Sequence, residues 1–338
     1  MSKYLNVFNT LAEYQAFSAS TEYVQPNVAL VKETNVLYYD YGNNKPQVDM
    51  SDFKVESQET SVGGDKYGKD AITKINYIPS GVTSLEKGFR DLKSLKEVTC
   101  KIPSGVTNMS YTFYGCTSLV NVPVIPSGVT NMRYAFQYCT SLVTAPVISS
   151  GVTFMSSAFE GCSSLVNAPE IPNSVTNMNS TFKDCTSLVT APEIPNSVTN
   201  MGYTFYGCTR LVTVPEISNS VTNMSSTFQG CSSLVNVPNI PNSVTNMSST
   251  FYGCSSLVTA LEIPSGVTDI RYTFYGCTSL KEVTFLHTTP PTYTVTLPDY
   301  SSLETIYVPD SAVDAYKTAS GWSEFADKFK PLSSKPTK

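Results

Sequence analysis

The side chains of this chain with chemical potential are nine cysteines, a single histidine and a repeated glutamate. Eight of the cysteines, Cys116, Cys139, Cys162, Cys185, Cys208, Cys231, Cys254 and Cys277, stand 23 positions apart without a slip. A zinc site needs thiolates paired about two to four residues apart, so that four ligands converge on one ion. The constant spacing sets the thiols out in a row instead, and a row of small, weakly polar side chains reads as a buried structural column. Neighbours in such a row lie within the Cα separation that a disulfide spans. The first twenty residues, MSKYLNVFNTLAEYQAFSAS, are broken by polar side chains and do not read as a secretory leader. Maturation in a reducing cytoplasm and nine free, mostly buried thiols are therefore expected.

His287 lies in an H-T-T-P-P stretch beyond the last repeat, with no obvious serine or cysteine partner. A surface position is expected for it, not a place in a triad. Glu170, Glu193, Glu216 and Glu262 share one repeat position, with Asn239 replacing one of them. Carboxylates on adjacent coils would match the separation of about 5 Å used by retaining glycosidases. Identical carboxylates in a row, however, have no asymmetry to make one the acid and the other the base. A solvated edge is preferred for this column, ahead of calcium binding and well ahead of catalysis. No catalytic residue, cofactor or metal site is expected.

Tyrosines recur beside the repeated phenylalanine, at Tyr111, Tyr114, Tyr134, Tyr138, Tyr203, Tyr206, Tyr252, Tyr272 and Tyr275, among many Ser, Thr and Asn residues. Tyrosine joins a large ring to a polar tip, which makes these nine a candidate contact face for glycan or protein. The competing reading is half-buried packing. Asn108, Asn131, Asn177 and Asn200, in the V-T-N units, are read as turn-stabilising ladders.

What must position these residues is the repeat itself. A phenylalanine precedes each cysteine by three positions, from Phe113 to Phe274, and a leucine follows by three, from Leu119 to Leu280. Upstream lie V-T-x-M units, from Val106 with Met109 to Val267 with Ile270, and an imperfect earlier copy holds Phe89, Leu92 and Leu95. A period of 20 to 29 residues with fixed apolar positions marks a leucine-rich-repeat solenoid. Proline falls twice in most coils, as at Pro169 and Pro172, so helix-rich coils are disfavoured. Strands are expected near L-V-x-V and V-T-N-M, a helical or 3₁₀ turn near Y-T-F-Y-G-C, and prolines at strand ends. A coil offers roughly six core side chains at about 1.5–3 kcal/mol each, against about 1–2 kcal/mol of backbone entropy for every residue ordered. A lone coil is therefore unstable, and stacking at about 4.8 Å gives an array about 40 Å long. The fold class is a β-rich solenoid of about nine 23-residue coils forming a parallel sheet, with a small α+β N-terminal module and a C-terminal cap.

The ends have their own patterns. Residues 1–41 read as a βαββ module: a strand at YLNVF, a helix opened by Thr10 and Glu13, and a hairpin of NVALV and VLYYD. Residues 42–70, polar and glycine-rich, read as a linker, 71–285 as the solenoid and 286–338 as its cap. In the cap, Asp310 is expected to open a helix through AVDAYK, and Trp322, Phe325 and Phe329 to seal the last coil. With 22 Lys and Arg against 27 Asp and Glu, the chain lacks the basic footprint of a nucleic-acid partner. No run of about 18 apolar residues suggests membrane insertion.

The phrase IPSGVTNM followed by F-x-x-C-x-S-L resembles the BspA-like family of leucine-rich repeats, found in bacterial surface antigens and phage-borne proteins, over about residues 75–285. The segments V-P-x-I-P and A-P-E-I-P depart from the commoner pattern. The stretch TIYVPDSAVDAYKTASGW resembles the terminal caps of the same family. Residues 1–41 are similar to short N-terminal modules of phage and phage-like tail or surface proteins of gut bacteria. These resemblances imply a non-enzymatic structural and adhesion protein of a phage virion. It would dock on other virion proteins through residues 1–41, present its solenoid to a glycan or protein of the host surface, and assemble with or without further copies of itself. Two alternatives stand beside it, a bacterial cell-surface adhesin and, more weakly, an intracellular scaffold. For residues 1–41 a plain folded cap on the first coil carries equal weight.

Overall fold

Backbone hydrogen bonds alternate along each coil between two kinds of partner. The N–H groups of Met109, Tyr111, Phe113 and Gly115 donate to the carbonyls of Asn131, Arg133, Ala135 and Gln137 in the next coil at 2.8–3.0 Å. Those of Thr112, Tyr114 and Cys116 donate instead to Met109, Tyr111 and Phe113, three residues back on the same coil. The segment around Y-T-F-Y-G-C is thus a series of single turns with the three-residue bonding of the expected 3₁₀ turn, none of which continues into a helix. A continuous helix would direct every N–H along its own coil and leave none for the neighbour. Reversing the chain this often needs left-handed backbone twice per coil, as at Tyr111 (φ 56°) and Gly115 (φ 71°).

The computed structural model describes residues 73–75, 78, 82–258, 261–291 and 302–336, together with the backbone of four strands between residues 5 and 48. Over the solenoid, like side chains form continuous internal rows. Nine phenylalanines from Phe89 to Phe274 stack ring on ring, with centroids 5.3–5.9 Å apart. These steps exceed the strand spacing of about 4.8 Å, as offset stacking requires. Rows of valine, methionine and leucine, such as Val175, Met178 and Leu188 with their equivalents, are buried beside them.

The polar members of the interior are satisfied from the preceding coil. Each of the eight row cysteines is free and buried. Each donates its Sγ–H to the carbonyl of a phenylalanine in the coil before, at 3.0–3.2 Å from Cys116 on Phe89 to Cys277 on Phe251. Buried threonines act alike: Thr227 Oγ1 reaches the carbonyls of Met201 and Met224, both at 2.8 Å. A small donor fits here where a methyl would leave the carbonyl short of a partner.

Most of the sheet is a ladder of single bridges. One parallel ladder runs through the V-T-N column, from Ser84 and Asn108 to Asn246 and Asp269, and another through Thr144, Asn167, Thr190 and Thr213. These are the places where strands are expected, but the bridges seldom widen into strands. Proline explains this. Pro123, Pro146, Pro169, Pro192, Pro215 and Pro238 occupy one position, and proline has no N–H to continue a ladder. At Leu261 that proline is gone, and regular strands appear: β7 (Leu261–Ile263), β8 (Glu282–Phe285), β9 (Thr305–Val308) and β10 (Phe329–Pro331), parallel and in the order β10-β9-β8-β7. At the other end β5 (Lys74–Ile75) pairs with β6 (Glu97–Val98), again where the proline is missing.

Near the N-terminus, β1 (Leu5–Phe8), β2 (Val28–Val31), β3 (Val36–Tyr39) and β4 (Gln47–Val48) form a separate sheet in that order. β1 is parallel to β2, and the other pairs are antiparallel. The hairpin of NVALV and VLYYD is therefore present, and β4 extends the sheet past residue 41 into the stretch read as linker. The helix expected from Thr10 and Glu13 falls outside the described residues.

The last coil is closed by a short helix, Val313–Thr318, and by Trp322, Phe325 and Phe329, all buried. Trp322 meets Phe285 and Tyr316 edge-on at 5.0 and 4.9 Å, and its Nε1 donates to the Pro291 carbonyl at 3.0 Å. Two expectations are corrected here. Asp310 does not cap the helix; its carboxylate accepts the Ser333 N–H at 3.0 Å and so ties the chain end to the cap. His287 is not on the surface. It is buried, with Nε2 2.8 Å from the Val267 carbonyl and its own carbonyl accepting the Tyr316 hydroxyl. The cap folds over the H-T-T-P-P stretch, and a sequence window cannot reveal what lands on it.

Candidate binding face

The turn segment that follows each V-T-N unit carries the tyrosines, and its left-handed positions decide how they are presented. One left-handed column holds Tyr111, Tyr134, Ser157, Ser180, Tyr203, Ser226, Ser249 and Tyr272. A second holds Asp91, Tyr138 and Asp184 where the other coils have glycine. For an L-residue this backbone costs about 1–2 kcal/mol, and a bulky side chain gains no local hydrogen bond in return. The coil imposes the conformation, so serine or glycine is the easy choice and tyrosine the costly one. At Gly161 the reason for glycine is also steric, since a Cβ would lie 2.5 Å from the ring of Tyr138.

The nine tyrosines do not make one continuous face. They fall into three islands separated by coils bearing Ser157, Glu160, Lys183 and Gln229. The first joins Tyr111, Tyr114, Tyr134 and Tyr138. Tyr111 stacks on Tyr134 at 4.5 Å, and Tyr114 meets Tyr138 edge-on at 5.5 Å. The second is Tyr203 with Tyr206, 6.1 Å apart and tilted. The third has Tyr252 stacked on Tyr275 at 4.9 Å, with Tyr272, the most exposed of the nine at 54%, one turn away. Tyr111, Tyr114, Tyr134 and Tyr206 are half-buried, whereas Tyr138, Tyr203, Tyr252, Tyr272 and Tyr275 are exposed. Packing and presentation thus divide the set. Desolvation raises the Tyr111 and Tyr138 phenols above their ordinary value, which already leaves a phenol protonated and able to donate at neutral pH.

Three residues of the first island were not singled out from the sequence. Arg90 places its guanidinium 4.6 Å from the centroid of Tyr114 and 5.8 Å from that of Tyr111. Arg133 covers Phe154 at 4.5 Å, and Phe154 is itself exposed in the position that asparagine holds in the neighbouring coils. The available signal was departure from the repeat: Phe154 breaks the asparagine column and Tyr138 the glycine column.

The asparagine column is structural. Asn108, Asn131, Asn177 and Asn200 each accept, at Oδ1, the backbone N–H two residues on at 2.8–3.1 Å, and Asp269 does so at 3.2 Å. The glutamates Glu170, Glu193, Glu216 and Glu262 all lie exposed. Glu193 and Glu216 line, with Asn239, Asn196, Ser218 and Asn219, a shallow polar cleft of about 540 Å³. Glu262 is bound by Lys335 Nζ at 2.7 Å. Among the described residues no group of three or more potential ligands converges to hold a metal ion. The row cysteines are poor nucleophiles as well, because burial pushes Cys116 and Cys277 up to about 12 and Cys185, Cys231 and Cys254 well above the usual thiol value.

A stack of 23-residue coils with parallel bridges, an internal phenylalanine row and capped ends defines a leucine-rich-repeat solenoid. The chain belongs to the BspA type Leucine rich repeat region family, which matches residues 60–189, 178–294 and 202–319 with six copies. A solved leucine-rich repeat protein from Bacteroides ovatus shares the fold, with 24% identity over 84% of this chain and 71% of that one and a TM-score of 0.61. Weaker structural matches include the T. pallidum leucine-rich repeat protein (27% identity, 49% and 73% covered, TM-score 0.40) and a leucine rich cell surface protein from Faecalibacterium prausnitzii (23%, 73% and 86%, 0.34). Comparison with curated proteins gives no match.

Proposed function

We propose that this protein is a non-enzymatic binding protein displayed on a bacterial cell surface, holding its ligand on the turn face of the solenoid. Membership of the BspA-type family supports the display, through the surface antigens in which that repeat type is found. The single observation that carries the binding is the costly placement of tyrosines on left-handed turns, exposed at Tyr138, Tyr203 and Tyr272, where other coils manage with serine or glycine. The non-enzymatic reading is supported by the lone histidine walled into the cap and by thiols held protonated inside the core.

A virion adhesin is the second reading. It is favoured by the resemblance of residues 1–41 to phage modules and by a sheet, β1 to β4, that pairs with no solenoid strand among the described residues. In it the same face meets a host surface while residues 1–41 dock on other virion proteins. Surface labelling of intact producing cells, set beside proteomics of purified phage particles, separates the two. Labelling on cells and absence from particles is the expected outcome; enrichment in particles with unlabelled cells would overturn it.

A further inference from the structure

Charge is unevenly spread along the solenoid. Residues 82–161, the coils that carry the first island, hold six Lys and Arg against four Asp and Glu, a net of +2, while residues 162–280 hold three against six, a net of −3. The first tyrosine island thus sits in a basic region of a chain whose overall charge is −5. Its two arginines lie on aromatic rings. Arg90 donates from Nε to Asp91 at 3.2 Å, which leaves the far side of its guanidinium without an acidic partner among the described residues. Arg133 rests on Phe154 and is exposed, and it too has no acidic partner there.

We propose that the island of Arg90, Tyr114, Tyr134, Tyr138, Arg133 and Phe154 binds an acidic polysaccharide, with the arginines taking its carboxylates and the exposed rings stacking on its sugar faces. Exposed aromatic rings offer flat apolar area beside a polar tip, which suits the mixed surface of a pyranose. A guanidinium fixed over a ring keeps its donor fork pre-oriented for a carboxylate. Tyr138 and Phe154, 42% and 46% exposed, each stand where the repeat otherwise carries a glycine, an aspartate or an asparagine. Tyr111, Tyr134 and Tyr138 take left-handed backbone within two successive coils, at φ 56°, 58° and 63°. The backbone is left-handed at these positions in the other coils too; what is concentrated here is bulky side chains bearing it, which points to a function for them. The second and third islands lack a guanidinium like that of Arg133, on a ring and without an acidic partner among the described residues: Lys183 near Tyr206 is held by Glu160 at 3.0 Å, and Arg271 by Asp269 at 2.7 Å.

The inference deepens the surface-binding reading. It is tested on purified full-length protein, so its failure leaves the display on cells to the labelling experiment. Immobilised protein is titrated with polygalacturonate, neutral dextran and poly-glutamate at low and moderate salt, alongside Arg90→Gln and the triple variant Tyr111→Ser, Tyr134→Ser, Tyr138→Gly. The expected result is binding of polygalacturonate alone, weakened by added salt and reduced about tenfold or more in both variants. The triple variant should keep or raise its melting temperature, because it installs the residues that other coils use at these turns. Three results would overturn the proposal: no binding of polygalacturonate, equal binding of dextran or poly-glutamate, or unchanged binding in the variants. A triple variant that melts well below wild type would instead assign the tyrosines to packing.

Discussion

The cysteine row shows how a single residue type is chosen. Each thiol fills a small gap between coils and donates an Sγ–H hydrogen bond to a carbonyl that would otherwise lack a second partner. Burial raises all eight row thiols above the ordinary value. They therefore stay protonated in the folded protein while the unfolded chain ionises from about pH 8.5 upward. Above that pH the folded state binds more protons, so stability is lost as pH rises. Each thiol contributes a slope of up to about 1.4 kcal/mol per pH unit until its folded value is reached. A urea-midpoint series from pH 7 to 11 should show a flat region followed by a steep fall above about pH 9, and replacing Cys185, Cys208 and Cys231 with alanine should make the fall shallower. In native protein, Cys100, the only half-exposed thiol, should react with a thiol reagent first, and the other eight only in denaturant. The identity of this column as core was legible in its period. The reason for cysteine was not, because the accepting carbonyl lies 26 residues earlier in the chain for most of the row.

At the scale of elements, the sequence showed the coil, its rows and its caps, and misjudged how the backbone would be used. Proline was expected at strand ends; its effect is larger, holding the sheet to single bridges until Leu261 restores a donor. A helical or 3₁₀ turn is the reading of the Y-T-F-Y-G-C segment, and its bonds do run three residues back as in a 3₁₀ turn. They do not continue into a helix because every second N–H is claimed by the next coil, which local spacing cannot show. The asparagines were legible, since an Asx turn is written in residue type. Asn200 accepts the Gly202 N–H at 2.9 Å, so Asn200→Ala should cost about 0.5–1.5 kcal/mol, measured by urea unfolding. In the cap, Trp322→Ala should cost about 3–5 kcal/mol. Because coils stack in one dimension, hydrogen exchange in that variant should accelerate first in β8, β9 and β10 and least around Phe113. His287 was misplaced for a related reason: its burial depends on a segment that returns 29 residues later, at Tyr316.

For the whole molecule, order inside and variation outside follow from one constraint. Rows such as Phe113 to Phe274 must repeat, because each coil is buried only by a coil like itself. The turn face faces no such demand, and there the coils differ: tyrosine with arginine and phenylalanine at one end, serine, glutamate and glutamine between smaller groups of tyrosine further along. The candidate face was thus half visible in the sequence, as recurring tyrosines. Their division into islands, and the arginines that complete the first, depend on which neighbours stack. The whole solenoid depends on register, and removing chain in phase and out of phase with the repeat exposes that dependence. Urea unfolding of a variant lacking residues 186–208, one whole coil, is set beside that of a variant lacking residues 186–197, about half a coil. The first should stay folded and cooperative, with a denaturant slope lower by roughly a tenth, and the second should lose its cooperative transition. Equal behaviour of the two would contradict the dependence on register.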